Sequence, residues 1–276
     1  MSDKPNQKRA RGRPRSADPD GGGTTVQALD RAVLILQCLA ARGRATLSEL
    51  AEAVEMPPST AHRLLLTLQA HRMVAFQDAT QDWLIGVEAF RIGSAFAQRS
   101  DLVDIAREAM HALVDATGET ANLAIADAGE VVFMSQVDTS NPIRAFFRTG
   151  TRAAMHSSGI GKALLAEMAP DAVAEIAGRR GLTEFTAKTL TSLATLKADL
   201  VTIRDRGWSL DDEERHLGMR CIAAPVFNAH GEAVAGLSIS GPAMRVNDAA
   251  LPELARAVCR AAADVTERTG GVAPRR

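Results

Sequence analysis

The sequence predicts an α+β fold in two folded parts, the first mainly helical and the second built around a largely antiparallel sheet. Apolar residues recur at helical spacing through most of residues 25–117. Beyond them, short strand-like runs separated by turn residues alternate with helices, which is typical of an antiparallel α+β domain. With 276 residues, the chain is long enough for two domains of ordinary size.

The composition is that of an ordinary globular protein, with 46% hydrophobic and 24% charged residues and a net charge of -1. No apolar run approaches the ~20 residues that a membrane helix needs, and the N-terminus lacks the apolar segment of a secretory signal. We therefore expect a cytoplasmic protein with no membrane partner. Cys38, Cys221 and Cys259 are widely spaced, which does not indicate a disulfide framework or a zinc site.

Residues 1–24 form a basic tail with the run KRARGRPRS, which contains Arg11 and Arg13. A segment this rich in Arg, Gly and Pro cannot bury a core, so we expect it to be disordered. Its Arg-Gly-Arg-Pro run resembles an AT-hook, whose arginines enter a narrow minor groove. The alternative is a generic solubilising tail. In both cases the tail should add salt-dependent affinity for phosphates.

The first folded helix is expected at Gln27–Ala41, with a buried stripe of Leu29, Ala32, Val33 and Leu36. A second helix follows Thr46, because Thr46 and Glu49 have the spacing of a capping box. Pro57 and Pro58 then end that helix and open the next, since proline fits a first helical turn but not an interior.

The helix after Pro58 has two different faces. Ala61, Leu64, Leu65 and Leu68 repeat at the spacing of a core-facing stripe, while the other face carries hydroxyl and basic side chains. This pattern suits the recognition helix of a helix-turn-helix, but it equally suits an ordinary helical hairpin with a solvated polar face. Two short strands at Met73–Phe76 and Trp83–Ile85 favour the first interpretation, because they form a wing.

We therefore predict a winged helix-turn-helix DNA-binding domain at residues 25–86. The residues predicted to contact DNA are Arg44, Pro58, Ser59, Thr60, His62, Arg63 and Thr67, together with Arg11 and Arg13 of the tail. A linker helix is expected within residues 87–100, where Phe90 and Phe96 would pack against a second copy of the chain.

The remaining residues, 101–270, predict a sensor domain of the GAF or PAS type. A helix at Leu102–Thr117 should end at Gly118. Strands are expected at Thr120–Ala126, Glu130–Val137, Ile143–Arg148, Trp208–Leu210, Arg220–Phe227 and Glu232–Ser240. The expected helices are Ser158–Met168, Asp171–Ala177, Ser192–Asp205 and Ala249–Glu267, the last capped by Asn247 or Asp248.

Three stretches of this domain could form a ligand site. In MHSSGIGKALLAEM (155–168) a turn enters a helix whose free amides suit an anion; the alternative is that the glycines only permit close packing. A P-loop would require glycine at position 156 and Ser or Thr at position 163, where this chain has His156 and Ala163. The acidic run DDEERHLGMRC (211–221) is either part of the site or a solvated loop. Ser238 and Ser240 share one strand face, where a polar ligand or a neighbouring strand would satisfy them.

Signatures of catalysis are absent from the sequence. It contains no HExxH, no GxSxG and no metal-type spacing of His or Cys, and the spacing of His156, Ser157 and Asp211 does not support a triad. We therefore expect no catalytic residues, no metal site and no cofactor.

Four fragments together resemble the IclR family of bacterial transcription regulators. They are MPPSTAHRLLLTL followed by VAF, then SSGIGKALLA, DDEERHLGMRCIAAPVF and GLSISGP, in family order and spacing over roughly residues 25–268. The resemblance implies a winged helix domain, a linker helix and a GAF-like effector domain. It also implies dimers, often paired into tetramers, that bind palindromic operators near metabolic gene clusters. The Arg-rich tail departs from the usual short N-terminus of the family.

The resemblance also implies an effector pocket. The backbone amides of Gly159 and Ile160 would hold a carboxylate, and the side chains of Asp211, Cys221, Ser238 and Ser240 would contact the rest of the ligand. Family members with this set sense small 2-oxo acids such as glyoxylate or pyruvate. The alternatives are a sensor of aromatic acids, or a metabolic enzyme or ligand-binding module with a helical N-terminus. Phe146 and Phe147 are expected to close one wall.

Overall fold

The structure is a computed structural model that describes residues 26–97 and 101–274. It divides into two compact units, with the division between Ala95 and Phe96. The predicted tail, with Arg11 and Arg13, and residues 98–100 of the predicted linker lie outside the described residues. The domain boundaries predicted at residues 86 and 100 remain predictions.

The N-terminal unit is a helix-turn-helix with a wing. Its helices are α1 (Gln27–Arg42), α2 (Leu47–Ala53), α3 (Pro58–Ala70) and α4 (Val87–Ala97), and its strands are β1 (Ala45–Thr46), β2 (Val74–Gln77) and β3 (Asp82–Ile85). The strands form an antiparallel sheet in the order β1-β3-β2, so the β2-β3 hairpin is the wing. The predicted winged architecture is confirmed.

Local sequence explains how the helix-turn-helix forms. Thr46 caps α2: its hydroxyl accepts the amide of Glu49, and the Glu49 carboxylate accepts the amide of Thr46 at 2.8 Å. Pro58 occupies the first turn of α3, where its missing N–H costs nothing. Buried Ala61 and Leu65 then anchor α3 in the core of this unit.

The predicted buried stripe of α1 is wrong. The buried residues are Ile35 and Leu39, whereas Leu29 is 64% exposed and Val33 is also exposed. The predicted Ala32 and Leu36 are only half-buried. Residues 32–36 are all apolar, so helical periodicity did not determine which side of α1 faces the core. Packing against the rest of the unit decides it.

The C-terminal unit is built on a six-stranded antiparallel sheet. Its strands are β4 (Thr120–Asp127), β5 (Glu130–Val137), β6 (Arg152–Ala154), β7 (Ser209–Asp212), β8 (Met219–Phe227) and β9 (Ala233–Pro242), in the order β6-β5-β4-β9-β8-β7. Its helices are α5 (Leu102–Thr117), α6 (Gly159–Ala166), α7 (Pro170–Arg180), α8 (Leu193–Arg206) and α9 (Leu251–Arg268). The predicted α+β class is confirmed.

Helices cover both faces of this sheet. On one face α5 and α9 bury residues such as Met110 and Val258 against Leu237. On the other face α6, α7 and α8 form a second core around Leu164 and Leu196. No helix in the described part of the chain is long and apolar enough to cross a membrane.

The strand predicted at Ile143–Arg148 is wrong, because that segment is irregular and the edge strand β6 lies further along. Side chains satisfy the backbone of the segment instead of a neighbouring strand. The amide of Phe147 donates to Gln136 Oε1 at 2.7 Å, and the carbonyl of Ala145 accepts from Thr120 Oγ1 at 3.2 Å. The segment therefore remains a loop at the edge of the sheet.

Candidate DNA-binding and effector sites

The polar face of α3 presents most of the predicted DNA contacts. Pro58, Ser59, His62, Arg63 and Thr67 are exposed, and Thr60 is half-buried. Within the described residues the Arg63 side chain makes no ion pair, so its guanidinium is available to a phosphate or a base edge. The Thr67 hydroxyl donates to the carbonyl of Arg63 at 3.0 Å and keeps its lone pairs for a donor.

Arg44 lies apart from α3, just before β1. Its guanidinium is exposed and comes within 3.9 Å of the Asp82 carboxylate at the start of β3. This position beside the wing suits a backbone phosphate, because the Arg44 side chain is exposed and its 3.9 Å pair with Asp82 is weak.

The six predicted effector residues line one cavity of about 320 Å³ in the C-terminal unit. They come from different elements: Asp211 from β7, Cys221 from β8, Ser238 and Ser240 from β9, and Gly159 and Ile160 from the start of α6. Pairing in the sheet explains how the four side chains meet. Asp211 lies opposite Cys221, and Cys221 lies opposite Ser240.

Ser238 belongs to the next row of the same sheet face, because side chains two apart on a strand point the same way. Both serines are buried. Asn122 lies on the neighbouring strand β4, and its Nδ2 donates to Ser240 Oγ at 3.3 Å and to Ser238 Oγ at 3.5 Å. The sheet therefore presents a compact polar patch made of a carboxyl, a thiol and two hydroxyls.

Helix α6 begins directly over this patch. Its N-cap Ser158 accepts the amide of Gly161, which leaves the amides of Gly159 and Ile160 without an intrahelical acceptor. A Cβ on Gly159 would lie 2.8 Å from Sγ of Cys221, so only glycine permits this close approach. A helix start of this kind attracts a negatively charged group.

Burial controls the protonation of the two acids in the patch. Burial, followed by the nearby Glu214 carboxylate, raises the pKa of Asp211 to about 7. Burial and the adjacent Asp211 raise the pKa of the Cys221 thiol to about 11. At neutral pH, Cys221 is therefore a neutral thiol, and Asp211 is present in both protonation states.

Lys162 supports the loop that follows Asp211, a role that the sequence did not predict. Its side chain is 2% exposed, and Nζ lies 2.5 Å from Glu214 Oε1 and 2.8 Å from Asp199 Oδ2. The amide of Glu214 in turn donates to Asp211 Oδ1 at 2.8 Å. A buried charge requires such partners. The only signal in the sequence was a lysine inside an otherwise apolar helix.

Ser157 was also missed as a pocket residue. It lines the cavity and is fully buried, and its hydroxyl has no hydrogen-bond partner among the described residues. An unpaired buried hydroxyl costs about 1–3 kcal/mol, which a ligand would recover. From the sequence alone, Ser157 is considered only as a member of a triad with His156 and Asp211, which the spacing does not support.

The predicted phenylalanine wall is present in a modified form. Phe147 stacks on Phe133, with ring centroids 4.5 Å apart, and both rings line the cavity. Phe146 also lines it but is largely exposed, which places it at the rim. The wall is therefore a pair of stacked rings from β5 and the loop that follows it.

Comparisons with known proteins match both units of the chain. The IclR helix-turn-helix domain matches residues 28–78, and the C-terminal domain of the bacterial transcriptional regulator IclR matches residues 94–267. The HTH-type transcriptional regulator BhcR of Paracoccus denitrificans is 48% identical over 274 residues, covering 97% of this chain and 96% of that protein.

Two further proteins resemble nearly the whole chain. The acetate operon repressor of Salmonella typhimurium is 39% identical over 249 residues, covering 89% of this chain and 91% of that protein. The crystal structure of Thermotoga maritima IclR superposes with a TM-score of 0.74 at 28% identity, covering 89% of this chain and 100% of that one. The matched relatives are transcriptional regulators. This chain therefore belongs to the IclR family and is a ligand-responsive, DNA-binding transcriptional regulator.

Proposed function

We propose that this regulator senses a small 2-oxo acid, with glyoxylate as the best candidate, and thereby controls a metabolic gene cluster. The alignment of Asp211, Cys221 and Ser240 in one row of the sheet, beneath the start of α6, carries this proposal. These groups provide an anion site beside a set of donors, which is what a carboxylate next to a carbonyl requires.

Each group has a defined task in the proposed complex. The amides of Gly159 and Ile160 hold the carboxylate. The hydroxyls of Ser238 and Ser240 donate to the 2-oxo oxygen or to the hydroxyls of its hydrate. Asp211 donates when protonated and accepts from a hydrate hydroxyl when ionised, because its pKa of about 7 makes both forms available.

The name of one relative is consistent with this ligand class. The Salmonella protein is the acetate operon repressor, and acetate is a small carboxylic acid. That name describes the relative; for this chain it supports a two-carbon or three-carbon acid as the first ligand to test.

On DNA, we propose that α3 enters the major groove, with Ser59, Thr60, His62 and Arg63 contacting bases and phosphates. A palindromic operator requires at least a dimer. Exposed apolar side chains on α4 provide a surface for one, since Phe90 is 74% exposed and Val87 and Ile92 are exposed as well. Effector binding would change the separation of the two recognition helices.

A second candidate effector is an aromatic acid. The stacked rings of Phe133 and Phe147 line the cavity and offer a face on which an aromatic ligand would stack. An aromatic acid would place its carboxylate on the same α6 amides, so the two candidates differ only in what occupies the space beside the phenylalanines.

Calorimetry with a panel of acids tests the proposal. Purified full-length protein is titrated with glyoxylate, pyruvate, acetate and benzoate, and we expect glyoxylate or pyruvate to bind tightest. Preferential binding of benzoate would favour the aromatic alternative. Consumption of a 2-oxo acid by the protein, or no protection of any DNA upstream of neighbouring genes, would contradict the proposed role in favour of an enzyme or binding module.

A further inference from the structure

The thiol of Cys221 is the polar group of the effector patch that has no task in the proposed complex. Its side chain is half-buried and lines the cavity of about 320 Å³ that holds the other predicted effector residues. A cysteine with a purely structural role is usually buried as a small hydrophobe, whereas Cys221 borders the space that the ligand would occupy. A sulfur nucleophile therefore lies in a cavity proposed to hold an aldehyde.

The start of α6 lies directly against this sulfur. A Cβ on Gly159 would lie 2.8 Å from Cys221 Sγ, so the sulfur contacts the backbone of the residue whose amide is proposed to bind the ligand carboxylate. In glyoxylate the aldehyde carbon is bonded directly to the carboxylate carbon. A carboxylate held by the Gly159 amide therefore brings the aldehyde carbon next to Cys221 Sγ.

Asp211 is placed to carry the proton that an addition of the thiol would move. It lies directly opposite Cys221 in the β7-β8 pair, and opposed residues of this kind have Cβ atoms about 4.5–5.5 Å apart. Burial, followed by the charge of Asp211, raises the pKa of the thiol, so the sulfur keeps its proton until a base accepts it. With a pKa of about 7, the Asp211 carboxyl can both accept and return a proton near neutral pH.

A protonated thiol suits a reversible adduct with an aldehyde. The addition consumes a neutral thiol and forms a neutral group, so the raised pKa of Cys221 does not oppose the equilibrium. The intrinsic nucleophilicity of a sulfur also increases with its pKa. Because the cavity holds the two reacting groups together, the addition becomes effectively intramolecular, which favours the adduct.

The adduct would also provide a partner for Ser157. The hydroxyl of this residue is fully buried, lines the same cavity and has no hydrogen-bond partner among the described residues. The oxygen of an aldehyde only accepts hydrogen bonds, whereas the hydroxyl that the addition creates both donates and accepts. Such a hydroxyl can pair with Ser157 in either direction.

We propose that Cys221 binds glyoxylate covalently and reversibly, as a thiohemiacetal. Sγ forms a bond to the aldehyde carbon, the π electrons of the carbonyl move to its oxygen, and the thiol proton passes through Asp211 to that oxygen. No oxidant, reductant or leaving group takes part, and hydrated glyoxylate first loses one water molecule. The adduct favours an aldehyde over a ketone, whose carbon is more crowded. This inference rests on the proposed function, because it assigns how the same ligand is held.

Carbon-13 NMR tests the proposal on the wild-type, full-length protein. The probe is glyoxylate labelled at its aldehyde carbon, with the protein in excess. We expect a bound carbon with one oxygen and one sulfur neighbour, which resonates upfield of both the hydrate and the free aldehyde. Bound glyoxylate that shows only the signal of the hydrate or of the aldehyde would overturn the proposal, and this measurement needs no variant.

Calorimetry with a cysteine variant provides the second test. Cys221→Ser keeps the shape and the hydrogen-bonding capacity of the side chain but replaces the sulfur with a much weaker nucleophile. Its affinity for glyoxylate should fall at least about tenfold, whereas its affinity for pyruvate, a ketone, should change by less than about threefold. The upfield carbon signal should be absent from this variant.

Cys259→Ser is the matched control. Cys259 is also half-buried but does not line the cavity, and a hydroxyl can keep the bond that its thiol donates to the Gly207 carbonyl at 3.8 Å. This variant should bind both acids like the wild type.

The outcomes separate this inference from the proposed function. A Cys221→Ser protein that melts like the wild type and loses affinity for glyoxylate and pyruvate equally, or for neither, would overturn the covalent role of the sulfur. If glyoxylate binds only as its hydrate or as the free aldehyde, this inference fails and the proposed function stands. If no 2-oxo acid binds at all, both fail.

Discussion

Asp211 is the residue whose protonation should make effector binding depend on pH. Its carboxyl has a pKa of about 7 because it is buried and lies beside Glu214. The neighbouring Cys221 thiol, with a pKa of about 11, and His216, whose pKa is lowered by burial, are both neutral at pH 7–8. Glu214 also has a raised pKa, and it is paired with Lys162.

An anionic effector should bind more weakly as the pH rises through 7. Ionised Asp211 repels the carboxylate of the ligand, which outweighs the hydrogen bond that it accepts from a hydrate hydroxyl, whereas protonated Asp211 is uncharged and donates a hydrogen bond to the ligand. With a pKa of about 7, the protonated fraction falls about tenfold between pH 6 and pH 8, so the affinity should fall by up to about tenfold. Calorimetry across this range measures the change.

Asp211→Asn provides the control, because an amide keeps the shape but cannot ionise. Its affinity for glyoxylate should be nearly constant between pH 6 and pH 8. A wild-type affinity that is flat across this range, or one that rises with pH, would show that Asp211 does not face the ligand in the way proposed.

Ser238 and Ser240 should contribute to effector binding and not to DNA binding. Replacing both with Ala removes two donors, each worth about 1 kcal/mol, so the Kd for glyoxylate should rise at least about tenfold. Affinity for the operator without effector should not change. Ser140→Ala, at an exposed serine outside the cavity, is the matched control. An unchanged Kd in the double variant would contradict the assignment.

The sequence predicted the residues whose signals are local or belong to the family, and it missed those defined by distant partners. Ser238 and Ser240 alternate along one strand, so their shared face was predictable. Lys162 gave little signal, because its partner Glu214 lies 52 residues away in the chain. The unpaired hydroxyl of Ser157 is likewise visible only after folding.

At the scale of elements, α3 should determine where the protein binds DNA. Arg63→Ala removes an exposed guanidinium from the polar face of this helix and should weaken operator binding at least about tenfold in a gel-shift assay. Arg256→Ala removes the same charge from α9 as a control. If Arg63→Ala binds the operator as tightly as Arg256→Ala does, α3 is not the recognition helix in the way proposed.

The close approach of α6 to β8 should depend on glycine. Gly159→Ala would bring a Cβ to 2.8 Å from Cys221 Sγ, so α6 or β8 must shift; we expect a loss of about 1–3 kcal/mol in unfolding free energy and weaker effector binding. Gly178→Ala in α7 meets nothing within 4 Å and should be neutral or slightly stabilising. Thermal unfolding compares the two, and equal stability would contradict the packing argument.

Element boundaries show what local sequence determines. The helix Leu102–Thr117 begins and ends where it was predicted, and Gly118 adopts the left-handed conformation that ends it. The loop around Phe147 was mistaken for a strand, because the distant side chains that satisfy its backbone, such as Gln136, were not apparent from the local pattern.

At the scale of the whole molecule, one unit would read DNA and the other would sense the ligand. A regulator of this kind requires the two binding events to be coupled. Coupling requires that the effector bind with different affinity to the DNA-bound and free states, typically by about 1–3 kcal/mol. By linkage, the same factor must appear in the operator affinity when the effector is added.

The most direct test is the affinity of the full-length protein for its operator, measured by fluorescence anisotropy with and without saturating glyoxylate. The proposed function predicts that saturating glyoxylate changes the operator Kd by about 5-fold to 150-fold. The Ser238→Ala/Ser240→Ala variant should need a higher glyoxylate concentration than the wild type to show the same change. An operator Kd that stays the same at every glyoxylate, pyruvate and oxaloacetate concentration would contradict the proposal that a 2-oxo acid controls this regulator.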